Sequence, residues 1–236
     1  MSTDTGHVSG SFDASWALNN PEAQFDWGYR SKHGSVVLSK LITGAYYGTT
    51  ISYSYYSGCS TGGLQGFRDI ELYLGDFDGI LAGAPAWRTT RLQPDNVQVA
   101  LHNLPVDAPT HISSQGNFVP ERLLCTHTSN KGACLTGPQL ETLYYIYNDW
   151  RETNQTFVFP HFEMGSDAQY GFLLNTDPGN HTEPGIAWIR KCLYNDTWDW
   201  HEFTYQVILD ADRINPEQAN VGFNFTGFYK RGGKII

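Results

Sequence analysis

Apolar residues recur at helical spacing between Val36 and Tyr47, at positions 37, 38, 41, 42, 45 and 46. This pattern predicts a helix over that segment, with Gly48 as its C-terminal stop. From Ile51 to Tyr56, β-branched and aromatic residues alternate with serine, which predicts a strand. A single helical turn is predicted earlier, from Asp13 to Leu18.

The same alternation continues along the chain. Gly58 to Gly63 is a glycine-rich turn, and Leu64 to Leu74 carries its apolar residues on one helical face. Phe77 to Ala82 then predicts a second strand. The order of helix, strand, tight turn, helix and strand is typical of a parallel α/β sheet, so we expect two neighbouring strands joined by a right-handed crossover.

The pattern changes after residue 86. Between Trp87 and Asn220 the alternation disappears, and only short helices are predicted, at Gln139–Trp150 and Trp198–Arg213. We interpret residues 87–220 as a lid inserted over a core formed by residues 1–86, with residues 221–236 returning to the core sheet. The last residues, Gly233 to Ile236, resemble the start of a further buried strand, so we expect this chain to be a truncated fragment.

One short motif carries candidate chemistry. Residues Gly58 to Gly62 read G-C-S-T-G, which fits the G-x-S-x-G nucleophile elbow between a strand and a helix. In that elbow a serine sits on a strained turn, and small flanking residues let the chain bend sharply. Ser60 is therefore the candidate nucleophile, and the backbone N–H of Thr61 is the candidate oxyanion donor.

A serine of this kind also needs a base and an acid, which follow it along the chain in α/β-hydrolases. The histidines after Ser60 all fall within the predicted lid, and none follows a predicted strand: His102, His111, His127, His161, His181 and His201. The histidines and cysteines do not cluster, so no zinc or iron site is expected.

Composition narrows the class of protein. The net charge of −9 argues against nucleic-acid binding and against anionic membranes. The sequence has neither an apolar run that could span a membrane nor a signal peptide. Aromatic residues make up 14% of the chain, which is consistent with recognition of a ring, and packing of these rings in the core is the alternative.

Glycosylation and cysteine patterns point to an extracellular protein. Four Asn-x-Ser/Thr sites fall within 71 residues and predict passage through the secretory pathway; they are Asn154, Asn180, Asn195 and Asn224. Cys125 and Cys134 are nine residues apart across a glycine-containing turn, a spacing that can close a small disulfide loop. Cys59 and Cys192 have no evident local partner, and two buried thiols are the alternative for them.

Two longer stretches carry a resemblance to a known family. Residues 55–63 read YYSGCSTGG and residues 77–86 read FDGILAGAPA. Together with STDTGH at residues 2–7 and CLT at residues 134–136, they resemble the tannase/feruloyl esterase family, and fungal feruloyl esterases in particular. The resemblance covers nearly the whole chain. It implies an α/β-hydrolase fold, with a partial and mostly parallel sheet and a large inserted lid.

The resemblance also implies site residues that this sequence lacks. In the family, the cysteine before the serine forms a disulfide with a cysteine beside the catalytic histidine. By resemblance Cys59 takes that part, and its partner, the catalytic Asp and the catalytic His are expected beyond Ile236. A second oxyanion donor and a signal peptide are expected upstream of the chain.

A metal site is a further departure from the family. The family's lid binds structural calcium through an Asp-rich loop, which should lie just before Cys125, yet residues 110–124 contain no Asp and a single Glu, Glu121. We hypothesise an internal deletion that removes this site, so no metal or other cofactor is expected in this chain.

The expected function is that of a secreted serine carboxylesterase. Its substrates would be esters of phenolic acids, of feruloyl or galloyl type, including those of plant cell walls, and neither nucleic acid nor membrane is an expected partner. Two alternatives stay open: a catalytically inactive fragment or module that binds aromatic ligands, and an acyltransferase on the same fold.

Overall fold

The computed structural model describes residues 3–10, 13–103, 119–126, 134–163, 166 and 183–236. The chain forms two compact units. The first unit comprises Met1–Thr90, Ala187–Trp198 and Tyr205–Ile236, and the second comprises Arg91–Ile186 and Asp199–Thr204. Residues 187–198 and 205–220, which lie within the predicted lid, thus belong to the first unit; the predicted boundaries themselves stay a prediction.

Eight α-helices and five strands occur in the described residues. The helices are α1 (Pro21–Phe25), α2 (Ser31–Tyr47), α3 (Thr61–Leu72), α4 (Thr89–Asn103), α5 (Gly137–Tyr147), α6 (Glu183–Trp188), α7 (Tyr205–Ile214) and α8 (Thr226–Lys230). The strands are β1 (Tyr55–Cys59), β2 (Gly79–Gly83), β3 (Trp150–Arg151), β4 (Phe157–Phe159) and β5 (Lys234–Ile235). Short π-helical turns at Asp26–Arg30 and Ile189–Leu193 extend the helices beside them.

The sheet of the first unit is parallel throughout and has the strand order β1-β2-β5. Helix α3 links β1 to β2, so the predicted neighbouring strands and the predicted strand near Gly233 are confirmed. The bounds of β1 differ from the prediction. The strand starts at Tyr55 rather than Ile51 and runs through Gly58, because its pairing with Gly79–Gly83 determines which residues are extended.

The core of the first unit lies between α3 and the sheet. Ile70, Phe77, Ile80 and Phe228 are buried together there. Leu64 is also fully buried, as the apolar face of α3 predicts, whereas Leu74 is 41% exposed beyond the end of that helix. This packing fixes the first turn of α3 against the carboxyl ends of β1 and β2.

Helix α2 confirms the predicted helix, which begins five residues earlier than expected, at Ser31. It ends at Gly48 in the left-handed conformation, with φ of 66°, as the glycine stop predicts. None of its residues is buried, so its apolar face is exposed within the described part of the first unit.

The second unit contains a helix that the sequence pattern missed. Helix α4 spans 15 residues although Pro94 lies inside it. Helix α5 starts at a capping box in which Thr136 and Gln139 bond to each other's backbone. The predicted helix over Trp198–Arg213 is wrong in its first half, because a 3₁₀ turn at Trp200–Glu202 precedes α7.

Candidate active site

Ser60 occupies a sharp turn between β1 and α3. Its φ is 59° and its ψ is −119°, a conformation that strains a residue with a side chain. Such strain costs on the order of 1–3 kcal/mol and persists only where surrounding bonds impose it. Those bonds are present: the Ser60 N–H donates to the Gly83 carbonyl at 3.0 Å, and the Ser60 carbonyl accepts from Leu64 and Ala86 at 3.1 Å each. The Ser60 side chain is exposed.

Glycines permit this turn, as the motif predicts. A Cβ added at Gly58 would lie 2.6 Å from the Gly62 carbonyl oxygen. A Cβ added at Gly63 would lie 2.8 Å from the Gly83 oxygen and 2.8 Å from the Pro85 Cα. Because these obstacles are backbone atoms, larger residues would force the helix away from the strand ends.

The first turn of α3 presents N–H groups beside Ser60. Of its first four N–H groups, that of Leu64 donates to Ser60, while those of Thr61, Gly62 and Gly63 have no backbone acceptor among the described residues. The N-terminus of a helix carries a partial positive charge that stabilises an anion. The arrangement is suitable for an oxyanion, and the specific role of Thr61 stays a prediction.

Tyr56 stabilises the turn at Ser60, a role that no sequence motif indicated. Its hydroxyl donates to the Gly62 carbonyl at 2.8 Å. Its ring leaves no room for a side chain at Gly66, where an added Cβ would lie 2.9 Å from the ring. Burial raises the pKa of the Tyr56 hydroxyl, so it remains a donor. The glycines at positions 58, 62 and 66 are spaced four residues apart. This spacing is the sequence signal that could have predicted an aromatic ring packed against them.

A buried ion pair lies beneath Tyr56. Lys32 on α2 bonds to Asp69 on α3, and its ammonium lies 3.9 Å from the centre of the Tyr56 ring. Burial raises the pKa of Asp69 to about 6 although Lys32 opposes that rise. This pair joins residues 37 apart in sequence, and no local pattern indicated it.

The two histidines of the first unit have partners other than Ser60. His33 bonds through Nδ1 to Asp76 at 2.7 Å and stacks on Tyr73. His7 stacks on Trp16, with ring centres 4.2 Å apart. The hydrogen bonds of these two histidines lead to residues other than Ser60.

Three of the downstream histidines lie in the described part of the second unit. His161 pairs with Asp149 at 2.8 Å and His201 pairs with Asp199 at 2.7 Å, both on the surface. His102 is more buried, and burial lowers the pKa of its imidazole. His111, His127 and His181 lie outside the described residues.

For the cysteines, the structure confirms one expectation and contradicts another. Cys125 and Cys134 form the predicted disulfide, with a Cα–Cα distance of 4.9 Å. Cys59 is a free thiol that is exposed rather than buried, so the buried alternative is wrong for it, and its expected pairing stays a prediction. Cys192 is a free, half-buried thiol 3.9 Å from the Glu217 carboxyl.

Three of the four glycosylation sites lie on the described surface. Asn154, Asn195 and Asn224 are exposed. In each, the side-chain oxygen accepts the N–H of the residue two positions on. Asn180 lies outside the described residues.

The described residues contain no group of three metal-ligating side chains. Glu121, the one acid of the segment before Cys125, accepts a hydrogen bond from the Tyr144 hydroxyl, and the expected loss of the calcium site stays a prediction. Residues 110–118 of that segment lie outside the described residues. No described helix is long and apolar enough to cross a membrane.

Comparison with known proteins agrees with this geometry. The family model described as tannase and feruloyl esterase matches residues 1–115. A probable feruloyl esterase B from Aspergillus niger is 30% identical over 267 residues, covering all of this chain and 50% of the relative. A probable feruloyl esterase B-1 from Neosartorya fischeri is 29% identical over 268 residues with the same coverage.

Two solved structures share the fold. An esterase from Aspergillus oryzae has a TM-score of 0.86 at 28% identity, covering 98% of this chain and 51% of that one. The feruloyl esterase B of Aspergillus oryzae has a TM-score of 0.85 at 26% identity, covering 98% and 52%. These matches confirm the α/β-hydrolase fold class. The chain spans about half the length of the curated relatives it matches, and over its whole length it is similar to feruloyl esterases of the tannase and feruloyl esterase family.

Proposed function

We propose that Ser60 is the nucleophile of a carboxylic ester hydrolase acting on esters of phenolic acids, of feruloyl or galloyl type. The observation that carries the proposal is the strained backbone of Ser60, held by bonds to Gly83, Leu64 and Ala86 at the N-terminus of α3. Strained conformations of this kind cluster at active sites, where the strain is part of the mechanism. The names of the relatives supply the substrate class.

The reaction would proceed through an acyl-enzyme. The Ser60 Oγ attacks the ester carbonyl carbon as its proton passes to a base, and the carbonyl oxygen becomes an oxyanion. The Thr61 N–H at the start of α3 donates to that oxyanion. Collapse of the tetrahedral intermediate expels the alcohol, which takes up the proton, and water then releases the phenolic acid from Ser60.

The base and acid come from residues other than the histidines of the first unit. His7 and His33 are engaged elsewhere, and we propose that the catalytic Asp and His lie beyond Ile236. Enzymes of this type that lose triad members keep about 10³–10⁴-fold acceleration over water from the oxyanion hole and substrate binding. We therefore propose that this chain alone reacts slowly, and that the exposed glycosylation sites reflect a secreted enzyme that meets plant cell-wall esters.

The test is covalent labelling of Ser60. The purified chain is incubated with a fluorophosphonate from pH 7 to pH 10, and its intact mass is followed for the wild type, Ser60→Ala and Ser57→Ala. Ser57 is an exposed serine three residues away on β1, which makes it the matched control. We expect a single adduct that forms faster at high pH, is lost in Ser60→Ala and is kept in Ser57→Ala.

Turnover of methyl ferulate and methyl gallate then addresses the substrate class. Slow hydrolysis that disappears in Ser60→Ala supports the esterase, and transfer to an added alcohol that outruns hydrolysis supports the acyltransferase. Saturable binding of methyl ferulate to a folded chain that forms no adduct at any pH would contradict the proposal and favour an aromatic-ligand module.

A further inference from the structure

A cleft of about 370 Å³ lies within the second unit, outside the residues proposed for ester chemistry. One wall is a helical stripe of α4, formed by Asp95, Gln98, Val99 and His102 at spacing i, i+3, i+4 and i+7. A stripe that merely packs one helix on another is apolar. Three of these four side chains are polar, so this stripe is suited to lining a cavity and not to packing against another helix.

A second group of lining residues comes from α5 and the residue that follows it. Glu141, Tyr144, Tyr145 and Asn148 again recur at i, i+3, i+4 and i+7, and Trp150 on β3 also lines the cleft. The cleft therefore combines aromatic rings with a few polar groups. That mixture is typical of sites for small ligands, in which apolar walls hold the body of a ligand and a polar group orients it.

Asp95 supplies the polar group. Its side chain is buried, with 5% of the residue exposed, yet its Oδ2 has no hydrogen-bond partner among the described residues. Burial raises the pKa of Asp95 to about 7, and no neighbouring charge offsets that rise. Buried carboxyl groups in native proteins are almost always paired, so an unpaired one lining a cavity indicates a missing donor.

The surroundings favour a positively charged donor. Two further carboxyl groups, those of Glu141 and Asp149, line the cleft. The cation Arg151 also lines it, but its guanidinium is already hydrogen-bonded to Asp149 at 3.2 Å. Burial lowers the pKa of His102, which is therefore neutral near pH 7 and stacks on Tyr145 with ring centres 3.4 Å apart. Among the described residues that line this cleft, the carboxyl groups thus outnumber the cations.

We propose that this cleft binds an organic cation, an ammonium group on an aromatic or apolar body. The ammonium would hydrogen-bond to the Asp95 carboxylate, and the body would pack against Tyr145 and Trp150. A cation over an aromatic face gains electrostatic attraction, and a charge-assisted hydrogen bond to a buried carboxylate strengthens it. The site would be separate from Ser60 chemistry and does not depend on it.

Three probes of one shape test the charge preference. 2-Phenylethylamine carries an ammonium, 2-phenylethanol carries a neutral hydroxyl in the same place, and 3-phenylpropanoate carries a carboxylate. Each is titrated at pH 8 into the 236-residue chain and followed by saturation-transfer NMR. Ligands this small bind weakly, so we expect a dissociation constant on the order of 1 mM for the amine, at least tenfold weaker binding of the alcohol, and no binding of the carboxylate.

Two variants connect the binding to Asp95. Asp95→Asn keeps the shape and removes the charge, and we expect it to weaken amine binding at least tenfold. Glu163→Gln removes an exposed charge in the same unit and should change the affinity less than twofold. A melting curve confirms folding of Asp95→Asn, which should be stable because it removes an unpaired buried acid.

Any of three results would overturn the proposal. These results are failure of the amine to bind the folded wild-type chain, binding of the alcohol as tight as that of the amine, and binding of the amine by Asp95→Asn as tight as that by the wild type. The second result would show that the cleft recognises a hydroxyl group rather than a cation.

Discussion

Glu217 gives the sharpest prediction about stability in the first unit. Its side chain is buried, with 2% of the residue exposed. Oε1 accepts a hydrogen bond from the Trp188 indole N–H at 2.6 Å, while Oε2 has no partner among the described residues. Burial raises the pKa of Glu217 from 4.5 to about 7, and among the described residues no cation forms an ion pair with it that would oppose this rise.

The sign of the pH dependence follows from this shift. Between pH 4.5 and pH 7 the folded chain holds a proton on Glu217 that the unfolded chain has released. The free energy of unfolding therefore falls as pH rises, by up to about 1.4 kcal/mol per pH unit. Across the window the loss is about 3 kcal/mol, complete once the pH passes the folded-state pKa.

Glu217→Gln removes the charge and keeps an oxygen that accepts from Trp188. The amide also adds N–H groups where the protonated acid has a single O–H, a cost of about 1 kcal/mol at every pH. We expect the variant to be about as stable as the wild type at pH 5, and more stable by about 1 kcal/mol at pH 6 and by about 2 kcal/mol at pH 8. The two stability curves should cross near pH 5.

Urea unfolding followed by circular dichroism at pH 5, 6, 7 and 8 measures these curves. Glu22→Gln is the matched control, since the Glu22 side chain is 69% exposed and its ion pair with Arg30 lies on the surface. Its effect should be under about 1 kcal/mol and constant with pH. If Glu217→Gln is less stable than the wild type at pH 8, Glu217 is ionised and stabilised in the folded chain, and the reasoning is wrong.

Three further predictions concern the turn at Ser60 and the disulfide. Gly58→Ala should destabilise the chain by about 2 kcal/mol or more and abolish labelling of Ser60, because its Cβ meets the Gly62 carbonyl oxygen at 2.6 Å; melting curves and intact mass measure this. Tyr56→Phe should cost about 1 kcal/mol by losing the bond to Gly62, and it should slow labelling without abolishing it. Cys134→Ser should lower the free energy of unfolding by about 2–3 kcal/mol, as measured by thermal unfolding. A reductant should destabilise the wild type by the same amount and should not change the stability of the variant.

Local sequence patterns predicted the elements around Ser60 well. The glycine-rich turn, the helix after it and the strand that pairs with β1 all depend on residues close together in sequence. The bounds of β1 were less predictable, since Gly58 is a poor strand former and becomes extended only through its pairing with Ala82. Strand pairing, rather than propensity, decided that boundary.

Helix α4 shows why other features escaped the sequence. Pro94 interrupts its helical signal, and the polar residues Asp95, Gln98 and His102 stand where an apolar stripe would mark a buried face. The polar residues that obscured the helical pattern are the ones that line the cleft. The Lys32–Asp69 pair escaped for a different reason, because it forms only when α2 packs beside α3.

The conformation of Ser60 is determined almost entirely by its own segment. Its backbone bonds lead to Gly83, Ala86 and Leu64, and the supporting tyrosine is Tyr56, so these direct hydrogen-bond constraints lie between residues 56 and 86. A turn over-determined by so short a segment should form without the rest of a longer protein. Differences in Ser60 reactivity between this chain and its longer relatives would then reflect the supply of a base, whereas the geometry of the nucleophile should be the same in both.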